Sequence, residues 1–111
     1  MVNATLHSQV TIIQPSGHIN AANAAEFQNQ LATAVASESY SVVLVDMQQV
    51  ESLDSAGLMA LVSALSLAQT LKRRFSLCSV APSIRIIFEL TQLDGAFEIF
   101  ESRDAFAATI A

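Results

Sequence analysis

At 111 residues the chain is long enough for one hydrophobic core and too short for two. Hydrophobic residues make up 52% of it and charged residues 14%, a balance more apolar than an average soluble domain that implies either a fully covered sheet or apolar surface kept for a partner. Ten acidic against five basic residues leave a net charge of −5, a field that repels nucleic acid, whose binding rests on neutralised phosphates. No apolar run approaches the roughly 18 residues of a membrane span, and Met1 to Thr5 carry no basic segment leading into an apolar stretch. The expectation is a cytoplasmic protein that does not insert into a membrane. The lone Cys78 offers neither an internal disulfide nor a metal-binding cysteine pair.

Taken in order, Val2 to His7 and Val10 to Gln14 are short alternating segments around Ser8-Gln9, the pattern of a hairpin with one edge strand. Pro15, lacking an N–H, stops the ladder. Ser16-Gly17 turns the chain, and Asn20 is a favourable N-cap residue for a helix over Ala21 to Ser37. Phe27, Leu31, Ala34 and Val35 form the apolar stripe of that helix, with Asn23, Gln28, Asn29 and Gln30 off it.

Glu38-Ser39-Tyr40 links to Ser41-Val42-Val43-Leu44-Val45-Asp46-Met47, which has the length and β-branched content of a buried strand. Beyond a short loop, Leu58, Leu61, Val62, Leu65 and Ala68 recur at helical spacing. Asp54 or Ser55 is placed to start this helix, since a short oxygen-bearing side chain accepts from an unpaired first-turn N–H. At about 100° per residue, Ser55, Met59, Ser63, Ser66, Thr70 and Arg73 fall opposite the apolar stripe. Asp54 and Ser55 can be read simply as the helix cap. A hydroxyl beside an exposed thioether and the small residues Ala56 and Gly57 can also be read as a docking patch with a modifiable centre.

Lys72-Arg73-Arg74 falls at the helix end, where cations meet the macrodipole and free carbonyls. Arg74 to Val80 reads as a second apolar strand, with Phe75 and Leu77 on one side and Cys78 and Val80 on the other. Strand, helix and strand in this order form a right-handed βαβ unit with a parallel pair. Pro82 to Leu90 is a shorter helix with Ile84, Ile87 and Phe88 inward, broken by Leu93-Asp94-Gly95. Phe97 to Phe100 is a brief final strand, and Ser102 caps a last helix carrying Ala105, Phe106, Thr109 and Ile110. The predicted class is α/β: a single domain over residues 1–111, with a mixed, mostly parallel sheet of four to five strands and about four helices packed against it.

No catalytic constellation is present. His7 and His18 have no carboxylate or cysteine at metal-ligand spacing. Asp-Ser-Ala-Gly is not the Gly-x-Ser-x-Gly of a nucleophile elbow, and Gly17, Gly57 and Gly95 form no phosphate-binding loop. Neither enzymatic activity nor a cofactor is expected.

The stretch Val45-Asp46-Met47-Gln48-Gln49-Val50-Glu51-Ser52-Leu53-Asp54-Ser55-Ala56-Gly57-Leu58 resembles the signature of the STAS domain, most closely that of the small bacterial anti-sigma factor antagonists. Gly17-His18-Ile19-Asn20 falls where that family usually has Gly-Glu-Leu/Ile-Asp, and the order of elements agrees along nearly the whole chain. The resemblance implies that Ser55 is a phosphorylation site. It implies a partner-switching module that binds an anti-sigma factor or GHKL-type serine kinase when unphosphorylated, lets go when phosphorylated, and is reset by a PP2C-type phosphatase. The implied partner surface comprises Asp54, Ala56, Gly57, Leu58 and Met59, with His18 and Asn20 standing where the family often has acidic residues. STAS-like domains also serve as non-switching scaffolds or cytoplasmic subunits of membrane transport or signalling assemblies, and that is the alternative. A small-ligand cleft near the Ser55 loop is a third reading.

Overall fold

The computed structural model describes residues 9–110. Its elements are β1 (Val10–Ile13), β2 (Ser16–Ile19), α1 (Ala24–Ala36), β3 (Val42–Asp46), β4 (Gln49–Leu53), α2 (Ser55–Thr70), β5 (Arg74–Cys78), α3 (Pro82–Leu90), β6 (Glu98–Phe100) and α4 (Arg103–Ala107). Strands β1, β3, β5 and β6 form one sheet in the order β1-β3-β5-β6, and β2 and β4 form a separate pair. Every described pairing is parallel. The α/β class and single-domain architecture expected from the sequence are therefore present. The first half of the expected hairpin, Val2 to His7, lies outside the described residues; Val10–Ile13 is a strand and pairs with β3.

The main sheet is covered on both faces, which explains why its central strands are almost continuously apolar. Val43, Val45, Phe75 and Leu77 point into the larger core with Phe27, Leu31 and Val35 of α1, Leu58, Leu61 and Ala64 of α2, and Ile84 and Phe88 of α3. The alternate residues Leu44 and Cys78 point to the other face and pack with Phe106 of α4. The expected alternation in β5 holds as far as Cys78. Val80 then joins the larger core with Phe75 and Leu77, because Ser79 takes a left-handed φ of 58° and turns the chain over after the strand ends.

Three further expectations are corrected. The helix expected from Ala21 begins at Ala24, with Asn23 at the N-cap position. The Asn20 side chain accepts from the Ala22 N–H at 2.9 Å, a local Asx turn in place of a cap. Segments β2 and β4, expected as turn and loop, are strands. Their pairing carries a bulge between Gly17 and His18, so that His18 pairs with Ser52 while Gly17 pairs with Val50. Val50 and Leu53, three apart, are both buried, and that spacing breaks the period-two signal by which a strand is recognised. Arg73, placed on the outer face of α2 by its spacing, is half-buried and its Nε donates to the Val35 carbonyl at 3.3 Å. It thereby serves the C-terminal end of α1.

Polar groups at the sheet are paired. The buried Asp46 carboxylate accepts from Arg103 Nε at 2.6 Å and from the Gln48 N–H at 3.0 Å. Beside it the Cys78 thiol is pushed up in pKa, first by burial and then by the Asp46 charge, so it stays protonated and unreactive. Arg74 makes a two-pronged pair with Glu98 at 2.8 and 2.9 Å, and its guanidinium lies 5.7 and 5.0 Å from the ring centroids of Phe100 and Phe106. The Ser76 hydroxyl also donates to Glu98.

This pairing, chiefly the Arg74 hydrogen bond, holds the Glu98 carboxyl below its usual pKa. A carboxylate lowered in the folded state contributes stability above its unfolded pKa and loses it as pH falls through the folded value. Denaturant midpoints of the wild type should therefore decline through the acid range more steeply than those of Glu98→Gln. The gap between the two should be widest near neutral pH and close as Glu98 is protonated; parallel curves would refute the assignment.

Candidate functional site

Strand β3 carries the chain to the end of the sheet, β4 returns it beside β2, and the next residue opens α2. Asp54 is the N-cap of that helix. Its Oδ1 accepts from the Gly57 N–H at 3.0 Å, and its carbonyl accepts the first helical bond, from Leu58 N at 2.9 Å. Ser55 is the first helical residue and is exposed. One turn on, Met59 is 56% exposed, an unusual setting for a thioether that has a core available. Ala56 between them is half-buried.

Gly57 and Leu58, expected to allow close approach and to give a partner apolar contact or support, are both buried in the chain alone. Gly57 is buried and Leu58 is 6% exposed in the core. A Cβ on Gly57 would lie 2.6 Å from Leu53 Cδ1, 2.8 Å from Ile19 Cγ2 and 3.1 Å from the Ile19 carbonyl oxygen. The close approach that this glycine permits is that of α2 to the β2–β4 pair of the same chain. Leu58 belongs to the apolar stripe at i, i+3 with Leu61, and so faces inward for the same reason that Met59 faces out.

The loop from His18 to Asn23 lies against the start of α2. The Ile19 carbonyl accepts from the Asp54 N–H at 3.1 Å, and Asp54 Oδ2 accepts from the Ala21 N–H at 3.2 Å. Asn23 donates from Nδ2 to the His18 carbonyl at 2.8 Å and accepts from the Asn20 N–H at 2.9 Å. His18 Nδ1 and Ser52 Oγ are 2.7 Å apart, the hydroxyl donating when that nitrogen is unprotonated. The sequence-predicted residues His18, Asn20, Asp54, Ser55 and Met59 are thus gathered at one end of the molecule, although the His18 ring is bonded to Ser52 and not to Ser55. Ala21, Asn23 and Ser52 were missed by sequence reasoning. The one local signal that could have found them is the three-residue spacing of Asn20 and Asn23, both of a residue type that bonds to nearby backbone.

Among the described residues, no group of three or more His, Cys, Asp or Glu side chains is placed to hold a metal ion, and no helix is long and apolar enough to cross a membrane. A groove of about 710 Å³ runs between β1 and α1, past Ile12, Ile13, Ala34 and Tyr40, and Ser55 has no part in its lining.

A family profile for the STAS domain matches residues 1–106. The chain belongs to the STAS domain family. BtrV of Bordetella bronchiseptica, named as a candidate anti-sigma factor antagonist, is 30% identical over 92 residues, covering 83% of this chain and 78% of that protein. A crystal structure of a candidate anti-sigma factor antagonist from Thermotoga maritima superposes with a TM-score of 0.85 at 22% identity, covering 92% of this chain and 87% of the other. An anti-sigma factor antagonist from Mycobacterium paratuberculosis superposes at 0.80 with 27% identity, over 92% and 86% of the two chains. This STAS domain therefore shares its fold with proteins named for anti-sigma factor antagonism.

The packing around Gly57 makes a direct prediction for this STAS domain. Gly57→Ala gains about 1 kcal/mol in helix propensity, but overpacking against Leu53 and Ile19 costs about 1–3 kcal/mol. The expected net result is a lower denaturant midpoint, and because Leu53→Val removes the Cδ1 atom that a Cβ on Gly57 would meet at 2.6 Å, the double variant should lose less than the sum of the two single losses. A midpoint above the wild type's for the single variant would show that α2 does not need this contact.

Proposed function

We propose that this STAS domain is an anti-sigma factor antagonist that works as a phosphorylation-controlled partner switch in the cytoplasm. Unphosphorylated, it binds an anti-sigma factor or GHKL-type serine kinase and so frees that regulator's other partner. The kinase moves the γ-phosphoryl group of its own ATP to Ser55 Oγ, taking up the hydroxyl proton and releasing ADP, and brings its own magnesium. A PP2C-type phosphatase hydrolyses the phosphoserine and restores binding. The chain itself supplies a substrate hydroxyl and a docking face and needs no catalytic group of its own.

The observation that carries this reading is the exposed Ser55 hydroxyl at the first residue of α2, bordered by the exposed Met59 and by the His18–Asn23 loop. A phosphate there adds roughly −1.5 to −2 charges and three acceptor oxygens. The positive end of the helix dipole tolerates an anion, so the fold survives. A docked partner does not tolerate it: burying an unpaired charge costs several kcal/mol, and at about 1.4 kcal/mol per tenfold this is enough to abolish a micromolar complex. Met59, Ser55, Ala56, His18 and Asn20 are the proposed contacts, and Gly57 and Leu58 support them from below.

The test begins with intact-mass and fragment spectra of the protein from its native host, followed by capture of its regulator on Ser55→Ala and Ser55→Glu variants. Phosphoserine at position 55 whose occupancy changes with growth condition is expected, with Ser55→Ala holding the regulator and Ser55→Glu binding it at least a hundredfold more weakly. Equal binding by both variants, with Ser55 unmodified under every condition and one constant partner, would replace switching by the scaffold role.

A further inference from the structure

We propose that Asp54 is a positioning residue that holds the His18–Asn23 loop in register with the first turn of α2, and that phosphate on Ser55 acts by releasing this hold. The inference rests on the partner-switching reading and adds the structural step between modification and release.

The Asp54 carboxylate faces two ways. Oδ1 accepts from Gly57 N within its own helix, in a half-buried bond of 3.0 Å, and Oδ2 accepts from Ala21 N, 33 residues away, in an exposed bond of 3.2 Å. The second bond joins the two halves of the docking face, the loop carrying His18 and Asn20 and the helix carrying Ser55 and Met59. At its other end the loop is held by the His18–Ser52 contact and by Asp54 N to the Ile19 carbonyl. Ala21 and Ala22 are exposed, and their N–H groups are held by side chains alone, those of Asp54 and Asn20. Ala21 is therefore the point at which the loop can lift without disturbing the β2–β4 pair.

Phosphoserine at position 55 places a dianion on the residue adjoining this carboxylate. Two anions at one helix mouth repel each other and compete for the same first-turn N–H groups. The bond that yields is the longer and more exposed one, to Ala21. The Gly57 bond, shielded by the helix, is retained. Partner release then has two sources: charge at Ser55 itself, and loss of register between loop and helix.

The experiment is residue-resolved amide hydrogen exchange by NMR on the full chain in three forms: wild type, the chain with phosphoserine built in at position 55 during translation, and Asp54→Asn. Asparagine remains a good N-cap but has one acceptor oxygen, so it can keep Gly57 or Ala21 and not both. Ala21 is expected to exchange at least tenfold faster in the phosphoserine form and in Asp54→Asn, while Gly57 and the β3 amides keep their wild-type rates. Unchanged Ala21 exchange in the phosphoserine form overturns the proposal. Uniform acceleration across the β3 amides overturns it as well, because it would mean general destabilisation. Since no partner is present, the result is independent of whether the regulator binds, and failure of the switch reading would be seen only in the capture experiment.

Discussion

The constraint on which everything else depends is the burial of β3 on both faces. Val43 and Val45 are fully buried on the side of α1 and α2, and Leu44 on the side of α4 is 1% exposed. A strand in that position cannot slip by one residue, because a slip would exchange its two faces and send each side chain into a pocket shaped for the other. Its register with β1 and β5 is fixed accordingly. The end of β3 is tied down by the buried Asp46, held by Arg103 from α4. Removing one partner of such a pair would leave a buried charge uncompensated.

From that anchored end the chain has seven residues, Met47 to Leu53, in which to reach the start of α2. The β2–β4 pair uses them to carry the helix mouth out to the edge of the molecule. The bulge, in which Glu51 of β4 is the extra residue opposite the Gly17–His18 step, allows Val50 and Leu53 both to face inward. Gly57 lets the helix lie against the same pair at a separation that a Cβ would enter only by displacing Leu53 and Ile19. Ser55 is therefore an exposed residue on a packed mount: residues two and three positions later are buried in the core.

That division suits a switch. An anion at a helix N-terminus is favourable for the helix and unfavourable for an apolar surface pressed over it, so one modification can alter binding while leaving folding intact. The exposed Met59 fits the same requirement, since a flexible thioether adapts to a partner at little cost. In the proposed switch, the acidic N-cap beside the serine would give the added charge a neighbour to repel.

Much of this was legible in the sequence. The apolar run of β3, the 3.6-residue spacing of α2 and the Asp-Ser pair between them are local signals, each decided by a few adjacent residues. They located the βαβ unit, the outward face of Ser55 and Met59, and the family. The strands β2 and β4 were not legible, because β2 is four residues long and begins on the turn signal Ser16-Gly17, β4 does not alternate, and each exists only by pairing with the other. The packing role of Gly57 was hidden for a related reason. A glycine beside an exposed serine looks like room for a partner, and only the tertiary structure reveals that Ile19, 38 residues earlier, already fills that room. Likewise the sequence offered Asp54 as a cap, while its second bond, to Ala21, arises because the sheet brings two distant loops to the same end. Local hydrogen bonding and periodicity can be read along the chain. Close approach between elements depends on where the core places them, and only the folded structure decides it.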